Sequence, residues 1–85
     1  MMIIQGYEVV VTCAACIPGT RRVVQEAESK PELKCLVREN EDKPFSYYDI
    51  WYLAAEVIND RGDINPACWG RTRQEAIKKL KNVLK

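Results

Sequence analysis

The sequence contains no histidine. That absence removes the commonest general acid–base group and the commonest metal ligand, and with them any Ser-His or Cys-His nucleophile pair. A Cys or Ser acting as a nucleophile here would need a Lys or a carboxylate as its base. Glycine is scarce as well, at four residues, and "GRTRQ", starting at Gly70, carries only one, so no phosphate-cradling loop is present. No apolar stretch approaches the roughly 18 residues that cross a bilayer. The apolar run at residues 1–4 is too short for a signal peptide and has no basic residues before it. The expectation is a cytoplasmic chain without membrane contact, in a compartment that keeps thiols reduced.

What is present fits one α+β domain over residues 1–85, with 47% hydrophobic and 29% charged residues. The net charge of +1 hides an uneven distribution. Residues 25–49 hold seven acids against four bases, whereas residues 71–85 hold six bases against Glu75 alone. A basic end of this kind suits an acidic partner, or it is a solvated helix whose lysines gather near the negative end of the macrodipole.

Residues 7–12, YEVVVT, are β-branched and lead into turn-prone residues, so a strand is expected, with a turn at Pro18-Gly19. Residues 20–29 fit either a short helix capped by Thr20 or a strand, ended by Pro31. LKCLVR, residues 33–38, alternates as a strand does, and residues 39–44 form a polar turn. Ile50, Leu53, Ala54, Val57 and Ile58 fall at helical spacing, which predicts a second helix near residues 46–60, entered at Ser46 and stopped at Gly62. Against it, YYDIWY is rich in strand formers, and residues 59–62 also fit a hairpin turn. Asp60, Arg61, Gly62 and Asp63 contain an RGD tripeptide, read here as a turn.

The last segment carries the clearest local signal. Thr72 and Glu75 form a T-x-x-E capping box, with Ala76, Ile77, Leu80, Val83 and Leu84 as the apolar stripe and Lys78, Lys81, Asn82 and Lys85 opposite. The predicted fold is therefore a small, mainly antiparallel sheet with a C-terminal helix over residues 72–85 packed on it.

The four cysteines admit three readings. Cys13-Ala-Ala-Cys16 is one good short pair for zinc, but Cys35 and Cys68 are far apart in sequence. As a redox motif, Cys13 would be the nucleophile and Cys16 the resolver. A strand leading into C-x-x-C resembles the start of the thioredoxin and glutaredoxin families, with Pro66 offered for the proline that faces the thiols. That chemistry needs the first Cys at a helix N-terminus, and Pro18-Gly19 interrupts the chain just after Cys16. The third reading is packing, since Cys behaves as a small hydrophobe. It leaves the chain with no metal and no cofactor.

In "INPACWGRTRQEAIKKLKNVL", Pro66, Cys68, Gly70, Thr72, Glu75, Ala76 and Leu80 follow a pattern of strand, G-x-T turn and E-A-x-x-x-L helix. This resembles the corresponding segment of HicB-like antitoxin domains, more fully if "IWYLAAEVIND" is the preceding strand of a hairpin. The resemblance implies a non-enzymatic interaction module, antitoxin- or inhibitor-like, which occludes a small nuclease or toxin and works as a homodimer. No ribbon-helix-helix or helix-turn-helix segment follows Lys85, so the expectation is confined to the protein-binding half. A sheet-then-helix order also occurs in double-stranded RNA-binding domains, and RNA binding would use Arg71, Arg73, Lys78 and Lys79 on phosphates. Five of the seven aromatics (Tyr47, Tyr48, Trp51, Tyr52 and Trp69) lie within residues 47–69. A core this small does not hold them all, and surface Trp and Tyr anchor protein interfaces. The expected partner-binding residues are Trp51, Trp69, Tyr48, Arg71, Arg73 and Lys78.

Overall fold

The computed structural model describes residues 2–84 of the chain; Met1, and Lys85 with its expected place on the polar helix face, lie outside them. The elements run β1 (Met2–Ile4), β2 (Tyr7–Cys16), β3 (Val23–Ala27), α1 (Lys30–Asn40), a 3-10 turn (Phe45–Tyr47), β4 (Asp49–Glu56), β5 (Cys68–Gly70) and α2 (Arg73–Val83). The fold is α+β, as expected. One sheet has the order β1-β2-β4-β5, and β3 also pairs with β2. The β1–β2, β2–β3 and β4–β5 pairs are antiparallel. No helix among the described residues is long and apolar enough to cross a membrane. Contacts gather into two compact units: Met1–Val11 with Tyr52–Lys85, and Thr12–Trp51.

In the first unit α2 packs on the sheet. Ile4, Val9, Val11 and Ala54 meet Ala76, Leu80 and Leu84, with Met2, Tyr7, Tyr52, Cys68 and Ile77 packed around them. Half of the capping box forms: Thr72 Oγ1 accepts from the Glu75 N–H at 3.1 Å, satisfying a donor the helix leaves orphaned, while the Glu75 carboxylate pairs with Lys79. Val83, predicted in the stripe, is instead exposed; the chain turns extended at Leu84, which takes the buried place. Gly70 has a role beyond turning. A Cβ there would lie 2.5 Å from the Ala76 nitrogen and 3.0 Å from its Cα, so the helix sits directly on the strand end.

The predicted helix near residues 46–60 is a strand. Residues 45–47 form one 3-10 turn, and β4 follows, pairing Tyr52, Leu53 and Ala54 with Gly70, Trp69 and Cys68. Helical spacing was present in this segment, but the strand-forming IWYL stretch and a waiting partner strand decide the outcome. Ser46 therefore caps no helix. Gly62 takes a positive φ of 86° in a turn where Asn59 Oδ1 accepts from the Arg61 and Asp63 N–H groups.

In the second unit, residues 20–29 resolve as the strand β3. Thr20 is no helix cap; its hydroxyl donates to the Ile17 carbonyl at 2.7 Å and accepts from the Arg22 N–H. The predicted strand over residues 33–38 is the helix α1. Ser29 caps it, Pro31 opens it where a missing N–H costs nothing, and Leu33 and Val37 are wholly buried four residues apart. Cys35, read as a packing residue of the supposed strand, is exposed.

The Gly70→Ala variant is expected to lose about 1–3 kcal/mol through overpacking against helix backbone. Thr72→Ala is expected to lose about 1 kcal/mol as a cap deletion. Urea unfolding curves for the two variants measure both losses, and the larger belongs to Gly70→Ala.

Candidate interaction face

Strand alternation divides the first unit's sheet into two faces. Ile4, Val9, Val11 and Ala54 point into the core under α2. Ile3, Glu8, Val10, Leu53 and Trp69 therefore point the other way. Register places Ile3 directly across from Glu8 and Leu53 directly across from Trp69. The Val57 N–H donates to the Glu8 carbonyl at 2.9 Å, holding the end of β4 to the start of β2. Ile3 is 65% exposed, and Val10, Leu53 and Trp69 are half-buried. The result is a mainly apolar strip on the face opposite α2, with the exposed Glu8 set beside Ile3. Cross-strand pairs such as Leu53–Trp69 contribute about 0.2–1 kcal/mol, which keeps the strip ordered.

Arg71 follows β5 two residues after Trp69, and Arg73 begins α2 on the opposite side of the sheet; both are exposed. Lys78 is exposed on α2 as well. Lys79 is engaged inside the unit: its ammonium donates to the Trp69 carbonyl at 2.9 Å and pairs with Glu75 at 3.3 Å. This tie fixes the backbone under the Trp69 ring and removes Lys79 from the expected set of phosphate contacts.

Trp51 and Tyr48 belong to the second unit. The Trp51 ring is half-buried, with the Arg21 guanidinium 5.1 Å from its centroid, a cation–π contact. Tyr48 was expected at a partner surface, but the structure buries it to 8% exposure. Its ring meets Tyr47 edge-on at 5.1 Å, and Tyr47 is the one that reaches solvent. Burial pushes the Tyr48 phenol above its ordinary pKa, and the Glu41 carboxylate adds to the shift. Tyr48 packs the second unit, and what the sequence missed is that the neighbouring Tyr47 carries the exposed ring.

The cysteine pair lies within β2, buried on all sides, at 1% exposure for Cys13 and none for Cys16. The bulge beside it falls on β3, because Ala15 pairs with Gln25 and Cys16 with Val23, leaving β2 extended. Three extended residues span about 10 Å, whereas a disulfide needs Cα atoms within about 7 Å. An odd offset also sends the two side chains to opposite faces. Neither thiol is at a helix N-terminus, which the redox chemistry requires. Cys35 is exposed on α1, its sulfur 3.7 Å from an Arg38 guanidinium nitrogen, and Cys68 is half-buried against the first unit's core. Pro66 lies exposed in the loop before β5. No group of three or more His, Cys, Asp or Glu positioned for a metal occurs among the described residues.

No protein-family model matches the chain, and neither a curated protein nor a solved structure matches it.

Thiol titration of the native protein with Ellman's reagent is expected to modify Cys35 first and Cys68 more slowly. Cys13 and Cys16 should react only after unfolding. Mild oxidation of the folded chain should yield no Cys13–Cys16 disulfide by mass spectrometry.

Proposed function

We propose that this protein is a non-enzymatic, cytoplasmic interaction module, antitoxin- or inhibitor-like, that acts by covering part of a small protein partner. The observation that carries this reading is the apolar strip of Ile3, Val10, Leu53 and Trp69 on the sheet face opposite α2. Ile3 at one end of the strip is exposed, and Trp69 on β5 at the other end is a half-buried aromatic of the kind that anchors interfaces. Arg71, two residues past Trp69, adds a positive charge near that end of the strip.

The succession of β4, β5, capped turn and α2 has the order that the HicB-like resemblance implies, and this supports the antitoxin-like form of the reading. A homodimer is part of the proposal. In the sheet order β1 is terminal, and antiparallel pairing of that edge across a two-fold axis would extend the sheet while leaving the strip open. The buried, extended setting of Cys13 and Cys16 gives thiol–disulfide exchange no such support.

The test is capture on immobilised wild-type protein beside a Leu53→Asp, Trp69→Ala variant shown to be folded by circular dichroism. A single stoichiometric protein partner held by the wild type and released by the variant is the expected outcome. Retention of the same partner by the variant, or its loss when nuclease removes RNA from the extract, would overturn the reading. Sedimentation equilibrium is expected to give a dimer for both proteins.

A further inference from the structure

In the second unit the end of α1 and the chain that follows it border an open concavity of about 560 Å³. That size is in the range of small-molecule sites. Lys34 and Arg38 form one wall, one helical turn apart on the exposed side of α1. Lys43 and Asp42 stand on the opposite loop, and Pro44 with the half-buried Phe45 supplies the apolar surface.

The charges here are unsettled. Among the described residues none of the three cations meets a carboxylate. Lys34 instead rests 5.5 Å from the centroid of the Phe45 ring, Lys43 rests 5.4 Å from that of Tyr47, and Arg38 contacts only the Cys35 sulfur. Of the two carboxylates, Glu41 accepts from the Gln25 amide at 2.9 Å, while Asp42 is exposed on the rim. The negative end of α1 is partly quenched. The Asn40 side chain donates to the Leu36 carbonyl and the Glu41 N–H to the Val37 carbonyl.

We infer that this cavity is a binding site for a phosphate joined to a flat ring, the chemistry of a nucleoside monophosphate. A phosphate is the acceptor that three cations around one opening lack, and charge-assisted bonds to it outlast exposed cation–π contacts. Drawing Lys34 off the Phe45 ring uncovers an aromatic face, on which a base stacks. Asp42 accepts from the sugar hydroxyls between the two. Phosphate and ring thus bind better joined than apart, because engagement of the first exposes the surface for the second.

The experiment is amide-resolved NMR titration of the full chain with adenosine 5′-monophosphate, adenosine and inorganic phosphate separately. The monophosphate is expected to shift the amides of residues 34–45, with a dissociation constant of about 1 mM or tighter. Arg38→Gln, on the exposed side of the helix, should keep the spectrum dispersed and weaken binding about tenfold, by loss of one charge-assisted contact. Phe45→Leu should weaken the monophosphate while leaving inorganic phosphate unchanged. Absence of shifts at residues 34–45 overturns the proposal. So does phosphate binding as tightly as the monophosphate, which would make this a simple anion site, or adenosine doing so, which would leave the cations without a part.

Discussion

Strand β2 is the constraint on which the structure depends. Its ten residues present backbone donors and acceptors on two edges, and a buried strand must have both rows satisfied. β1 pairs with Tyr7 to Val9, β3 pairs with Cys13 to Cys16, and β4 follows β2 in the sheet order. Each compact unit uses its own stretch of β2, residues 7–11 in the first and residues 12–16 in the second. In the second stretch four successive residues (Cys, Ala, Ala, Cys) are buried, so side chains on both faces of the strand have cover. Small residues suit such a place, and the C-x-x-C spacing follows from it without any thiol chemistry.

A second constraint acts within the first unit, where α2 meets β5. Gly70 ends the strand against helix backbone, so the helix cannot stand further off without losing Ala76 from the core. Lys79 then reaches back to the Trp69 carbonyl. Close approach on one side of β5 and a held carbonyl leave the Trp69 ring on the other face little freedom. An ordered ring loses less conformational entropy when a partner covers it, and hence makes a better anchor than a mobile one.

How much of this was legible depends on whether the deciding interaction was local. α2 was legible because Thr72, Glu75 and the apolar stripe act within a few residues of one another. α1 carried an equally local signal, Ser29 and Glu32 in capping-box spacing around Pro31, but the alternation of Leu33, Cys35 and Val37 masked it. In residues 46–60 a helical periodicity competed with strand-forming composition, and the choice rested on β5, a strand of three residues some distance along the chain. The site followed the fold. Trp69 was recognisable by residue type, yet its pairing with Leu53 needed a strand register, which the sequence offered only as the alternative to a helix over residues 46–60. The cavity beside α1 was hidden for the same reason, since it exists only if residues 33–38 are helical.

The inventory of the buried interior also bears on function. Its largest fully buried side chains are Leu33, Val9, Val37, Cys13 and Cys16, with alanines at residues 14, 15, 54 and 76. Of the seven aromatics only Tyr48 is buried. Hydrophobic stabilisation scales with apolar area removed from water, about 25 cal/mol per Å², and Trp and Phe offer the most area per residue. A chain selected for the stability of its own core would place those rings inside. This chain fills the interior with small aliphatic groups and cysteines, sets Tyr7 and Tyr52 against that core, and leaves Tyr47 exposed and Trp69 and Phe45 half-buried. The area these rings keep in solvent is the binding energy on which the proposed partner surface and the proposed ring site would draw.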